Sequence, residues 1–185
     1  MNPSERTVPL RGGAVRLRVL TAGRGPDLVW FHSFHDRSAW PPLLEALARR
    51  FTVHAPFHPG VQGSEGVEVV DDVVDLALAY DELLGALGIA QAHLAGHFFG
   101  GMVVAEIASI CPGRATKVVL ISPLGLWLDA KPVAVEIPSI LAASRVVKPA
   151  KYHSLTNSAL GGSVFASFVS ASSSATSLSS VESES

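Results

Sequence analysis

Cysteine is almost missing from this chain of 185 residues, where Cys111 stands alone. One thiol excludes an internal disulfide framework and any metal site made of several cysteines. Its ordinary reading is a small buried apolar residue. Charge is sparse as well: charged residues make up 16 % of the sequence and the net charge is −2. No basic surface is therefore offered to nucleic acid or to an anionic membrane. Long apolar runs are absent too. No uninterrupted stretch reaches the ~18 residues of a membrane span. The polar start MNPSERTVPLRGG leads into no signal-peptide core. The expectation is a soluble, cytoplasmic protein with no nucleic-acid or membrane partner.

What the chain does have is apolar residues, at 48 %, and enough length for one domain with its own core. Residues 15–22, VRLRVLTA, alternate apolar and polar as a half-buried strand does. DLVWFH at 27–32 is a continuous apolar run, which suits a strand covered on both faces. WPPLLEALARR at 40–50 has helical spacing, with Pro41 and Pro42 at the start, where a missing N–H costs little. FTVHAPF at 51–57 reads as a strand and HPGVQGSEG at 58–66 as a glycine-rich loop.

Residues 67–88 read as a long amphipathic helix, with Val69, Val73, Leu76, Leu83 and Leu87 mostly at steps of three, four or seven. Asp71, Asp72 and Asp75 lie towards its positive end, and Gly88 is placed to cap it. QAHLAG at 91–96 is a strand and GGMVVAEIASI at 100–110 a helix. ATKVVLIS at 115–122 is one more buried strand. Alternation of this kind predicts an α/β fold: a parallel, doubly wound sheet of about six strands with helices on both faces. Ligands of such sheets bind beyond the carboxyl ends of the strands.

After Pro123 the periodicity fades. Residues 1–128 read as the core and 129–150 as a partial lid or connecting segment. Residues 151–185 read as a serine-rich, low-complexity tail. No Asp, Glu, Lys or Arg occurs between Tyr152 and Val181, and such a composition predicts disorder.

Gly96-His97-Phe98-Phe99-Gly100-Gly101, between a strand and a helix, resembles the nucleophile elbow of the α/β-hydrolase fold. That motif is G-x-S-x-G, often GHSFGG. FHSF at 31–34 resembles the family's oxyanion loop, PFHPGVQGS at 56–64 the loop after its fourth strand, and KVVLISPLG at 117–125 its sixth strand and exit. The relatives implied are small-molecule hydrolases of the epoxide hydrolase, C–C hydrolase and esterase kind. The resemblance implies oxyanion donors at the backbone N–H groups of Phe34 and Phe99. It implies structural or pocket-shaping roles for His32 and His97. Ser33 stands where the family has glycine, so its Cβ is expected to crowd the loop.

At the nucleophile position, Phe98 carries a phenyl ring, with no lone pair to attack a carbonyl and no proton to give a base. The resemblance implies a chain that stops after the sixth strand, before the family's usual acid and histidine. Asp129 and His153 lie beyond that strand, one near the family's alternative acid position and the other where the serine-rich tail begins. The resulting expectation is an α/β-hydrolase family protein derived from an enzyme of small ester, epoxide or C–C substrates, and catalytically inactive.

Two other readings stay open. His32, His35, Asp36, His54, His58 and His97 fall in or near loops at the carboxyl ends of strands, so a histidine metal site doing hydrolysis is one. Pro56 and Pro59 break the helix that the 54–58 spacing would need, and the expectation is no metal and no cofactor. His93 reads as a satisfied strand residue, and Ser33 and Ser38 have no evident base. The other reading is a non-catalytic binding protein. Phe98 and Phe99 would line a crevice for a small apolar ligand, or plug it. Strand 117–122, expected at the sheet edge, would invite self-association.

Overall fold

A computed structural model describes residues 2–34, 36, 38–125 and 166–169. Its centre is a seven-stranded mixed sheet in the order β1-β2-β4-β3-β5-β6-β7. The strands are β1 Ser4–Leu10, β2 Val15–Ala22, β3 Asp27–Phe31, β4 Thr52–Pro56, β5 Ala92–His97, β6 Ala115–Ile121 and β7 Ala166–Val169. Neighbours from β4 through β3, β5 and β6 to β7 pair in parallel. β2 joins β4 antiparallel, and β1 joins β2 antiparallel. The doubly wound parallel sheet thus holds from β4 to β7, with an antiparallel ribbon added at one side.

Among the described residues, three helices cover the sheet: α1 Pro42–Leu47, α2 Val73–Ala86 and α3 Phe99–Ile110. Leu44 and Ala48 of α1 and its exit pack with Leu28, Trp30, Val53 and Ala55 on one face. Leu76, Tyr80 and Leu83 of α2 and Val103 and Ile107 of α3 pack with Val29, Phe31, Leu94 and Val118 on the other. This division follows from right-handed crossovers between parallel strands. The step from β3 to β4 runs opposite to the steps from β4 to β5 and from β5 to β6, so α1 lies opposite α2 and α3.

Three elements depart from the sequence reading. β1 was not foreseen, because only Val8 and Leu10 of its seven residues are buried. It is an edge strand, and Pro9 and its charged residues suit such a place. α2 begins at Val73 rather than at residue 67, because the Asp72 side chain accepts the Asp75 N–H at 2.8 Å and caps the helix there. Val67–Val69 form a 3-10 turn before it.

The third departure corrects the expected edge strand. Val118–Ile121 of β6 pair with Ala166–Val169, so β6 is an inner strand, flanked on both sides. Residues 166–169 are a short strand inside the segment expected to lack structure. Four residues of Ala-Ser-Phe-Val are too brief a signal to stand out from a serine-rich stretch. Asp129, His153 and the proposed lid segment 129–150 lie outside the described residues. No helix among the described residues is long and apolar enough to cross a membrane.

Candidate functional site

β5 ends at His97 and α3 starts at Phe99, so the chain turns from strand to helix at one residue. Phe98 takes φ 53° and ψ −110°, a backbone state costly for a side chain of this bulk. The surroundings hold it there. The Phe98 N–H donates to the Ile121 carbonyl at 2.9 Å, and the Phe98 carbonyl accepts from Leu124 N–H at 3.1 Å and Met102 N–H at 3.2 Å. The exit of β6 thus clamps the turn from outside while α3 clamps it from within.

The glycines around the turn are explained by backbone contact. A Cβ on Gly96 would lie 2.3 Å from the Gly100 carbonyl oxygen, and one on Gly100 would lie 2.0 Å from that of Phe31. A Cβ on Gly101 would press on Pro123 at 2.9 Å. Three backbones meet at this point, and only glycine leaves room for them.

The loop after β3 approaches the turn from the side. Ser33 is buried, and its N–H donates to Asp36 Oδ2 at 2.9 Å while the Asp36 N–H donates back to the Ser33 carbonyl at 3.1 Å. Ser33 does not take a positive φ, so its backbone conformation does not require glycine there. The other Asp36 oxygen lies 3.7 Å from His97 Nδ1, linking this loop to the last residue of β5. The Phe34 ring packs on Phe99 with centroids 4.3 Å apart and on His58 at 5.5 Å.

Two of the candidate histidines are fixed in a buried chain of hydrogen bonds. Backbone carbonyls only accept, which sets both tautomers. His32 Nδ1–H donates to the Ser33 carbonyl at 2.8 Å, so His32 Nε2 accepts the His58 N–H at 3.2 Å. His58 Nε2–H donates to the His32 carbonyl at 2.9 Å, leaving Nδ1 to accept the Tyr80 hydroxyl. Every ring nitrogen is engaged and both rings are neutral. Burial depresses the pKa of His32 and depresses that of His58 well below its usual value. Burial also pushes the Tyr80 phenol well up, so it stays a donor. A structural or pocket-shaping role was expected for His32; it ties the loop after β3 to the loop after β4, and Tyr80 of α2 anchors both. Nothing in the sequence marks Tyr80 for this role beyond its place on the buried face of α2.

The remaining histidines are dispersed. His54 lies between Asp27 Oδ1 at 2.9 Å and Thr21 Oγ1 at 3.2 Å, inside the sheet rather than at its carboxyl end. His93 meets Thr116 Oγ1 at 2.6 Å, the satisfied strand residue anticipated for it. His35 lies outside the described residues. Among the described residues, no three His, Cys, Asp or Glu side chains gather closely enough to hold a metal ion. Ser38 lines a cleft with Trp30, His32, Asp36, Leu44 and Phe57. The cleft is narrow, with room for about a single water and not for an ester. Cys111 is half-buried, and burial, then nearby Asp81, raises its thiol pKa.

With this geometry in place, comparison with known proteins identifies the class. The family model of the alpha/beta hydrolase fold matches residues 26–142, and the chain belongs to that family. It is 34 % identical over 113 residues to the dihydrolipoyllysine-residue acetyltransferase component of the acetoin cleaving system of Cupriavidus necator, covering 60 % of this chain and 30 % of that one. It is 28 % identical over 109 residues to the pimeloyl-[acyl-carrier protein] methyl ester esterase of Nitrosomonas europaea, covering 57 % and 40 %. Among solved structures, a bacterial membrane phospholipase A superposes with TM-score 0.63 at 27 % identity, over 70 % of this chain and 43 % of that one. Epoxide hydrolase A of Mycobacterium thermoresistibile gives 0.54 at 32 % identity, over 65 % and 39 %. The chain thus spans less than half the length of these relatives.

Proposed function

We propose that this protein is an α/β hydrolase family member that has lost hydrolysis by the family's covalent route, descended from an enzyme of small ester, epoxide or C–C substrates. The observation that carries this reading is Phe98 at φ 53° between β5 and α3. The turn is the nucleophile elbow, and the residue at its tip has no atom that can attack. The Phe99 N–H opens α3 and has no carbonyl a turn earlier to bond within the helix. With the Phe34 N–H it forms the remnant of the oxyanion hole. His32 and His58 keep their nitrogens in fixed bonds and cannot take a proton from a residue at 98.

An aryl ester panel tests this. Turnover is expected at the level of a heat-treated control, and Phe98→Ser alone is expected to give no burst of released phenol. Turnover well above that control, abolished by substitutions around the elbow, would overturn the reading.

A second reading is favoured by the aromatic lining. Phe98 is half-buried at the tip of the turn, and next to it in the chain the buried Phe99 ring packs at a tilt on that of Phe34, an aromatic grouping suited to a small aromatic or aliphatic ligand. A saturable thermal shift with such a ligand, diminished in Phe98→Ala, is the expected result.

A further inference from the structure

Half of α2 is buried, and exposed apolar side chains stand on its outer side and in the turn before it. Val67, Val69, Val74 and Leu78 are 39 %, 41 %, 37 % and 49 % exposed, four of the largest apolar exposures among the described residues. Val74 and Leu78 stand one turn apart on the same side of α2. Arg11 fixes the approach of the preceding turn. Its guanidinium donates to the Val69 carbonyl at 3.5 Å and to the Asp75 carboxylate at 2.6 and 2.9 Å.

The charge around this surface is mostly negative, with Arg11 set among the carboxylates. Glu68 and Asp71 are exposed, and Asp72 is partly so. Arg11 faces Asp71, Asp75 and Glu82 together, and its charge is shared among them. Asp81, further along α2, is matched by Arg114 at 2.6 Å. A carboxylate-rimmed apolar surface repels anionic lipid, and it repels a second copy bringing the same carboxylates. It fits a partner with an apolar stripe and cationic flanks.

We propose that the outer side of α2 and the turn before it, Val67, Val69, Val74 and Leu78 bordered by Glu68 and Asp71, is a docking surface for a basic amphipathic helix of another protein. The apolar anchors of such a helix, at steps of three and four, would seat on Val74 and Leu78. Its lysines or arginines would meet Glu68 and Asp71. This surface lies outside the elbow and does not depend on whether the crevice is active.

The test uses two synthetic peptides of about 18 residues, long enough to be helical. Both carry one leucine stripe; the polar side is lysine in one and glutamate in the other. Each is titrated onto the full chain and followed by fluorescence anisotropy. The lysine peptide is expected to bind saturably and to weaken as salt rises, and the glutamate peptide not to bind. Leu78→Gln is expected to weaken binding by roughly tenfold or more. The pair Glu68→Gln and Asp71→Asn is expected to flatten the salt dependence. These positions are exposed, so the melting temperature should stay at the parent value, which is checked alongside. Equal binding of both peptides, binding unchanged in Leu78→Gln, or no binding at all would overturn the proposal. So would self-association in sedimentation that Leu78→Gln abolishes, which would assign the surface to a second copy.

Discussion

Gly100→Ala is expected to leave no cooperatively folded protein. The added methyl carbon would sit 2.0 Å from the Phe31 carbonyl oxygen, 2.4 Å from its carbon and 2.7 Å from the His32 oxygen. None of these atoms is a flexible side-chain end. Phe31 is held in the parallel ladder opposite Gly96, and the His32 carbonyl is bonded by His58. Relief would require α3 to move off β3 and β5, along with the buried Phe99, Val103 and Ile107. Overpacking a core by one group costs ~1–3 kcal/mol when side chains can yield. Here the backbone must yield, against a stability of ~5–15 kcal/mol for a whole domain. Gly85→Ala is the control. It lies in α2 with only Arg114 Nη2 nearby at 3.9 Å, and removing a helix glycine should stabilise by roughly 0.5–1 kcal/mol. Thermal melts by circular dichroism decide: no transition for Gly100→Ala, a raised midpoint for Gly85→Ala. A Gly100→Ala protein melting at the parent temperature would refute the close approach.

The same contacts explain why the turn was the most legible part of the sequence. Gly96, Gly100 and Gly101 are required by three converging backbones, so their spacing survives whatever stands at residue 98. Buried strands were legible for a similar reason: β3 and β5 are covered on two faces, whereas β6 keeps its apolar run although Thr116, Lys117 and Val119 are exposed. β1 was hidden because an edge strand with one end in solvent carries mostly polar residues. β7 was hidden because a backbone ladder, not composition, defines it. The histidines were the least legible. As letters, His32, His54, His58, His93 and His97 are interchangeable. What separates them is which carbonyls and hydroxyls surround each ring, and that is set by contacts between residues as distant as His58 and Tyr80. Asp36 was counted only as a ligand candidate, although its spacing from Ser33 is that of a local side-chain-to-backbone turn.

That histidine chain makes the stability of the fold depend on pH in a defined direction. His32 and His58 are neutral and buried in the folded state, with pKa values depressed from 6.5 by loss of solvent. In the unfolded chain they titrate near 6.5. Above that value both states are neutral, and the full stability is present. Below it the unfolded chain takes up protons that the folded chain refuses, so stability falls with pH until the folded values are passed. A histidine contributes at most about 1.4 kcal/mol per pH unit; His58, held well below its usual value, carries the larger part, and His32 adds with the same sign. His93, also depressed by burial and by Lys117, adds with the same sign. The carboxylates held down by arginine, Asp75 by Arg11 among them, lose their contribution only at lower pH, near or below their ordinary values. Urea midpoints are therefore expected to drop steeply between about pH 6.5 and 5.5 and to be flat above about pH 7. Tyr80→Phe separates the network from burial alone. It removes the hydroxyl that His58 Nδ1 accepts from and should cost about 1–3 kcal/mol at neutral pH. The orphaned nitrogen then gains from protonation, so the slope below pH 6.5 should become shallower. Stability unchanged from about pH 7.5 to 5.5 would mean that His32 and His58 exchange protons freely with water, and that the loops after β3 and β4 are not joined as described.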